Sequence, residues 1–516
     1  VIAANVIQVG NPANGTVTDL DGNYSISVPS NSSLQFSFMG YVSKTEAVNG
    51  RSTINVTLSE DTELLDEVVV IGYGTQKKSD LSGAVASIAA KDLQNRSTTD
   101  AASALQGKAA GIQVMNYSGA PGQGAQIRVR GYSSNSGEIG PLLIVDGLQV
   151  DNIQYLDPSM IESMEILKDA ASAAIYGAQA GNGVVLITTK KGSNTGHGTI
   201  SYDFKLTMQS LAKDPGVMNR AQFIDFKKMQ GYDIDAELRN NGDDGKIDTD
   251  WADATFGTGW AQQHGLTFSG GNDKGHYFMS LNYLNNDGIV RGDKDTYERL
   301  STQINADYKI KEWLTVGTNT SIEKWATSSV SHMSETNSVF MAAIQNDPLT
   351  PVTYNDPSEF PQNMYLIYSG QAAEGSGFEM FDGPSLIVQN YDTDLFGSGK
   401  YLATSKYVDN DHGSPLIQLA RNNSKNSGIT VRGTTFLNLN PIKGLVVTSR
   451  LGYRISYSNG HNYNTPYYAN PMAKSDMYSI SANANTGLYY QWENFANYCF
   501  NYQRRSNERY YRSRTQ

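Results

Sequence analysis

From about residue 199 onward, apolar and polar residues alternate with a period of two. Ile200, Tyr202, Phe204 and Leu206 fall on one side of an extended chain, and Ser201, Asp203, Lys205 and Thr207 on the other. The pattern returns in Leu300, Ile304, Ala306, Tyr308 and Ile310 against Ser301, Gln303, Asn305, Asp307 and Lys309. It returns again in Leu445, Val447, Leu451, Tyr453 and Ile455 against Thr448, Arg450, Arg454 and Ser456. These stretches predict strands of eight or more residues with one apolar and one polar face. Such strands build a soluble sandwich or a membrane barrel alike. Their length, the tyrosines near strand ends and long polar connections such as 326–426 favour the barrel.

Upstream the pattern changes twice. Residues 1–60 read as short strands and turns: a strand from Gly15, an Asp-x-Asp-Gly turn at Asp19–Gly22, an alternating strand through Tyr24, Ile26 and Val28, and later strands at Leu34–Met39 and Thr53–Leu58. Residues 79–195 mix small strands with Ala-rich helical segments. Leu142–Val145 and Val184–Thr189 are apolar strands bounded by glycine, Ala101–Ala109 reads as helix, and Asp157-Pro158 opens a further segment. Between these regions lies LLDEVVVIGYGTQKK, residues 64–78. Its apolar run Val68–Ile71 is too short for a helix, and its Gly, Gln and Lys flanks suit an exposed position. It reads either as an ordinary edge strand or as an extended peptide that another protein captures by strand addition.

Composition narrows the classes. The 516 residues contain 49 Gly and 31 Tyr, as a turn-rich β protein would, and mean hydropathy is −0.42. No window approaches 18 consecutive apolar residues, which excludes a spanning helix and leaves a spanning barrel open. The single cysteine, Cys499, excludes an internal disulfide framework and a cysteine-based zinc site. A net charge of −11 argues against nucleic acid as a partner. The acidic turns at Asp19 and near Asp243 lack the glycine and glutamate spacing of an EF-hand. Gln106-Gly107-Lys108 has Ala102 where a P-loop needs glycine. G-x-S-x-G and H-E-x-x-H are absent and the six histidines are scattered, so no catalytic residue, cofactor or metal is assigned.

LLIVDG at Leu142–Gly147 and the segment Ile161–Gly192 closely resemble the plug domain of SusC/RagA-type TonB-dependent transporters. LQGKAAGIQV (Leu105–Val114) and IRVRG (Ile127–Gly131) match the same domain, and DEVVVIGYG (Asp66–Gly74) sits where that family carries its Ton box. Residues 15–60 resemble the carboxypeptidase-regulatory-like sandwich that precedes it in many members. DTDW (Asp248–Trp251) and Asn282–Val290 resemble the start of the barrel.

The resemblance implies a mainly β protein in four parts: a sandwich over 1–60, a Ton box and linker over 61–78, a plug over 79–195, and the first part of an antiparallel transmembrane barrel over 196–516, with 22 strands when complete. It implies a Gram-negative outer-membrane importer of glycan or peptide oligomers, capped by a SusD-like lipoprotein. Asp66, Glu67, Val68, Val69 and Val70 would be the segment that TonB binds and pulls. Within the plug motifs, Arg128 and Arg130 either face carboxylates on the barrel's inner wall or sit on a solvated edge. Gly131 closes the same motif, and Asp146, before Gly147, is expected to fix a turn. Tyr277, Tyr283, Tyr453 and Tyr457 are expected as membrane-interface anchors, with a sugar-stacking role as the lesser reading.

The chain departs from the family in its extent. About eight to ten strands are countable after residue 199, and the arginine-rich end NYQRRSNERYYRSRTQ loses the alternation, so a fragment, cut or frame-shifted near Cys499, is expected. The start, VIAANVIQVG, shows no basic n-region or cleavage-like site, and it is expected to enter in the middle of a domain. A surface adhesin and a signal-transducing receptor are the rival readings.

Overall fold

The computed structural model describes residues 4–498 except 20, 39–40, 42, 59–67, 72–73, 78–84, 95–97, 99, 132–139, 193–196, 214–215, 331–337, 372–386, 390–395, 398–399, 408–413, 422 and 470–473. The chain divides into two compact units, Val1–Ser82 and Gly83–Gln516.

In the first unit, β1 (Asn5–Gln8), β2 (Asn11–Val17), β3 (Ser33–Ser37) and β4 (Lys44–Ala47) form an antiparallel sheet in the order β2-β1-β3-β4. Val6, Leu34, Phe36, Val48 and Ile54 make its core. Tyr24, Ile26 and Val28 pack on it with strand-like alternation, as do Val56 and Leu58, although neither stretch joins the ladder. Asp19 closes the expected turn by accepting hydrogen bonds from the amides of Asp21 and Asn23. Further on, β5 (Val68–Ile71) and β6 (Gly74–Lys77) form a two-stranded hairpin.

The second unit is a sheet-bearing plug and a wall. The plug sheet runs β11-β10-β13-β12-β7, from β7 (Val85–Ala89), β10 (Leu142–Val145), β11 (Leu148–Val150), β12 (Ile161–Leu167) and β13 (Val184–Thr189). Only β10 and β13 pair in parallel. Two helices, α1 (Ala90–Gln94) and α2 (Ala101–Ala104), and the hairpin of β8 (Ile112–Met115) and β9 (Gln126–Val129) cover a core that includes Leu93, Leu105, Leu156, Met164 and Ile166. The expected helix at Ala101–Ala109 stops at Ala104, where Leu105 caps it and the chain enters turns toward Gly107 (φ +76°). Past Asp157-Pro158 a single helical turn gives way to β12, because Met164, Ile166 and Leu167 are drawn into the sheet's core.

The wall is one eight-stranded antiparallel sheet in sequence order: β14 (Thr199–Gln209), β15 (Gly259–Asn272), β16 (Gly275–Asp287), β17 (Thr296–Lys311), β18 (Leu314–Ser328), β19 (Lys425–Leu439), β20 (Leu445–Asn464) and β21 (Ser479–Tyr498). Short turns at 273–274, 312–313 and 440–444 alternate with longer connections at 210–258, 288–295, 329–424 and 465–478. The alternation of side chains is inverted relative to a soluble protein. Ile200, Tyr202, Phe204, Leu206 and Met208 are 53–72% exposed, whereas Ser280, Ser301, Gln303, Asn305 and Thr434 are at most 2% exposed. A sheet that buries its polar side and presents its apolar side is built for lipid. On β17 the outward residues run from Leu300 to Ile310. Ten residues cover roughly 33 Å of strand, or about 24 Å of height at the usual barrel tilt, close to the apolar band of an outer membrane.

The long connections are not plain polar loops. Helices α3 (Arg220–Met229), α4 (Ile234–Asn240), α5 (Trp251–Thr255), α6 (Val339–Gln345), α7 (Gln362–Ser369) and α8 (Pro415–Arg421) lie in them. Trp251, Val339, Ala343, Leu416 and Leu419 share one core, and the Trp251 indole donates to the Asp347 carbonyl at 2.7 Å. The DTDW stretch therefore opens a buried helix that joins two connections, with Asp250 capping it.

Candidate functional site at the seam between plug and wall

The plug meets the wall's polar face through hydrogen bonds. Asp146 and Gly147 occupy the β10–β11 turn with φ of +48° and +84°, a left-handed pair that Asp-Gly adopts readily. The Asp146 carboxylate accepts from the Thr189 amide (3.0 Å) and hydroxyl (2.6 Å) on β13. Burial pushes its carboxyl above the usual range, while those two bonds and the charges of Lys191 and Arg450 pull it back. The turn's two carbonyls face the wall: that of Asp146 accepts from Thr434 (3.3 Å), that of Gly147 from Gln491 (2.7 Å). A β-carbon on Gly147 would stand on the Arg450 guanidinium, which binds Glu493 at 2.6 Å.

Immediately downstream, residues 151–157 touch four different wall strands. Asp151 pairs with Arg454 of β20 at 2.5 Å. The Gln154 carbonyl accepts from Arg299 of β17. The Tyr155 ring lies 3.7 Å beneath the guanidinium of Arg432 of β19, which is itself paired with Glu323 at 2.8 Å. Burial raises the Tyr155 phenol well above its ordinary range, so it stays neutral. Asp157 accepts from Gln263 of β15. At the end of β13, Asn305 donates to the Thr189 hydroxyl (2.6 Å) and the Lys190 carbonyl (2.7 Å).

The remaining plug residues singled out in the sequence lie elsewhere. Arg128 is buried on β9, donates to the Tyr117 hydroxyl and lies over the Tyr117 ring. Arg130 is exposed in a left-handed turn with Gly131, its amide bonded to the Gly111 carbonyl. The arginines that reach into the plug belong to the wall, Arg299, Arg432 and Arg454; sequence reasoning placed Arg454 on a polar face but linked none of them to the plug. Their signal was present: an arginine on the polar side of a barrel strand faces the lumen. Val68, Val69 and Val70 form most of β5, and Asp66 and Glu67 lie outside the described residues. Of the tyrosines, Tyr277, Tyr283 and Tyr457 are exposed on the outward face, and Tyr453 crosses Gly433 on that face to bond Thr320 at 2.7 Å.

A wall with inverted polarity, closed on its polar side by a hydrogen-bonded stopper, defines a plugged β-barrel receptor. Comparison with known proteins places it more narrowly. Residues 77–184 match the TonB-dependent Receptor Plug Domain family, and residues 1–70 match the CarboxypepD_reg-like domain. TonB-dependent receptor SusC of Bacteroides thetaiotaomicron is 35% identical over 372 residues, 70% of this chain and 36% of that protein. TonB-dependent receptor P39 of Formosa agariphila is 40% identical over 318 residues, 61% of this chain and 30% of that protein. The RagAB peptide importer in its open-open state superposes with a TM-score of 0.64 at 26% identity, over 84% of this chain and 47% of that one. The chain belongs to the SusC/RagA family of TonB-dependent receptors. It spans about a third of the length of the curated relatives it matches.

Proposed function

We propose that the chain serves an outer-membrane importer of oligomeric nutrients, glycans or peptides, energised by TonB and capped by a SusD-like lipoprotein. The observation that carries this reading is the seam itself. The plug is held in place largely by hydrogen bonds and ion pairs between polar groups, which reform with water when broken at a modest net cost each. An apolar seam of the same size would resist separation far more strongly. A pull of molecular origin then suffices to move the stopper, while the outward apolar face keeps the wall in lipid.

Asp66, Glu67, Val68, Val69 and Val70 are the segment for TonB to take by strand addition. Supporting this, β5 pairs only with β6 among the described residues and presents its other edge to a partner strand. Residues 1–60 act as the regulatory-like sandwich, 61–78 as the tether, 79–195 as the plug and 196–516 as the wall. The reading assigns movement rather than bond-making chemistry, so the chain is not an enzyme. A pull-down of a peptide covering residues 60–78 with the periplasmic domain of TonB tests it. Capture is expected, and a peptide that is not retained leaves an adhesin as the better description.

A further inference from the structure

The eight wall strands do not hold the plug equally. Of the polar contacts described above, all but the Gln263–Asp157 bond fall on β17 and β19 to β21. Against β14 to β16 the end of the plug comes close at Gly192, beside Gly270 and Tyr277, but the stretch next to α2 and β8 leaves space instead. Two cavities of about 190 and 330 Å³ share Asp100, Ser103, Asn116 and Gln209 in their linings, so they form one groove between α2, β8 and the wall. Lys205 and Thr207 of β14 border its first part, Asn286 of β16 its second.

The inner face of β16, of which Asn286 lines the groove, carries polar groups with nothing to bind. The Ser280 hydroxyl, both amide atoms of Asn282 and the Asn286 carbonyl are buried, in residues 0%, 3% and 8% exposed, and have no hydrogen-bond partner. Ser280 and Asn282 stand opposite Gln303 and Ser301 of β17, each of which also has an orphaned oxygen. Folded proteins leave few such atoms, and each costs about 1–3 kcal/mol when unmet. The row runs across β16 onto β17, and its Asn286 end, in the groove's lining, gains bonds when water or cargo arrives.

Resting on the importer reading, we infer that the plug stays fastened to β17–β21 while the passage opens between it and β14–β16. Opening there breaks one named plug–wall bond, Gln263–Asp157, whereas leaving the other flank breaks those of Asp146, Gly147, Asp151, Gln154 and Thr189. The groove's hydroxyls and amides, with Lys205 and Asp100 as its only charges, suit an uncharged chain rich in hydrogen-bonding groups. A third cavity, of about 330 Å³, lies on the fastened flank, but the Asp151–Arg454 pair stands in its lining. It is the rival route.

The experiment uses the receptor in intact cells, with Cys499→Ser as background and one cysteine added at a time. Ser103→Cys and Thr207→Cys report the groove, Thr434→Cys the fastened flank, and Ser456→Cys the rival cavity. All four changes are small, which limits damage to the fold. Labelling by a membrane-impermeant maleimide is compared with and without a protonophore. In energised cells the two groove cysteines should react about tenfold faster, as a shift of roughly 1.4 kcal/mol in the opening equilibrium produces. Thr434→Cys and Ser456→Cys should not change. An equal rise at Thr434→Cys means that the whole plug departs, and a rise confined to Ser456→Cys means the other flank opens; either overturns the inference. No change at any position, while TonB still captures residues 60–78, overturns it alone. No change with capture lost removes the importer reading and this inference together.

Discussion

Adding one methyl group at Gly147 tests the docking of the plug's turn. Gly147→Ala carries two separate penalties. Its φ of +84° is a left-handed conformation that costs an L side chain roughly 1–2 kcal/mol. The new β-carbon also displaces the Arg450 guanidinium, which then leaves the Glu493 carboxylate it holds at 2.6 and 2.9 Å. Both partners of that pair are partly exposed, so its loss is discounted to about 1–2 kcal/mol, at or just below the low end of the range for charged hydrogen bonds. The sum of about 2–4 kcal/mol corresponds to roughly thirtyfold to several-hundredfold faster local opening. Hydrogen exchange at the Leu148 and Gln149 amides reads it. Two other glycines separate the terms. Gly131→Ala has the backbone penalty (φ +92°) with no atom near its β-carbon, so only about five- to thirtyfold is expected at its own turn. Gly140→Ala has neither penalty and should change little. Placed on an Arg450→Ala background, Gly147→Ala should fall to the Gly131→Ala level. If Gly147→Ala alone is no worse than Gly131→Ala, the contact between this turn and Arg450 does not exist as described.

Three further outcomes are expected. Asp295, in the connection before β17, accepts from the Val290 amide, and its carboxyl is pushed up to about 7, chiefly by burial. Its folded form therefore holds a proton that the unfolded form releases near 4, so this connection should be best protected below about pH 4 and lose protection steadily as pH rises toward 7. Exchange at Val290 followed across that range should show the trend, and Asp295→Asn should flatten it. Asn305→Leu leaves the Lys190 carbonyl without its donor, at about 1–3 kcal/mol, and should make the 189–192 segment measurably easier for protease to cut in detergent-solubilised receptor. Val69→Pro removes an amide from β5, and a 60–78 peptide carrying it should lose capture by the TonB periplasmic domain while retaining its overall charge.

Much of the wall was legible because period-two alternation is a local property. Residues 300–310 show which side chains share a face, and the structure turns that face outward. The Asp146-Gly147 turn was legible for the same reason, since two adjacent residues specify it. What joins plug to wall was not. Gln491 and Gly147 are separated by 344 positions, and Asn305 and Thr189 by 116, so nothing in either neighbourhood marks the partner. The helices of the long connections were missed for a different reason. Asn219 and Gln222 form a capping box that local reading can find, yet the surrounding residues are polar enough to pass for loop. Only the shared core around Trp251 and Leu416 shows that these connections fold on one another.

The inverted wall also bears on how such a chain travels. Every second residue supplies its oily surface, so the greasy positions never gather into one run, and mean hydropathy stays at −0.42. Among the described residues no helix is long and apolar enough to cross a bilayer. A machinery that sorts by continuous hydrophobic segments meets none within β14–β21. The same spacing that gives β14–β21 an oily face once folded keeps that face dispersed along the unfolded chain.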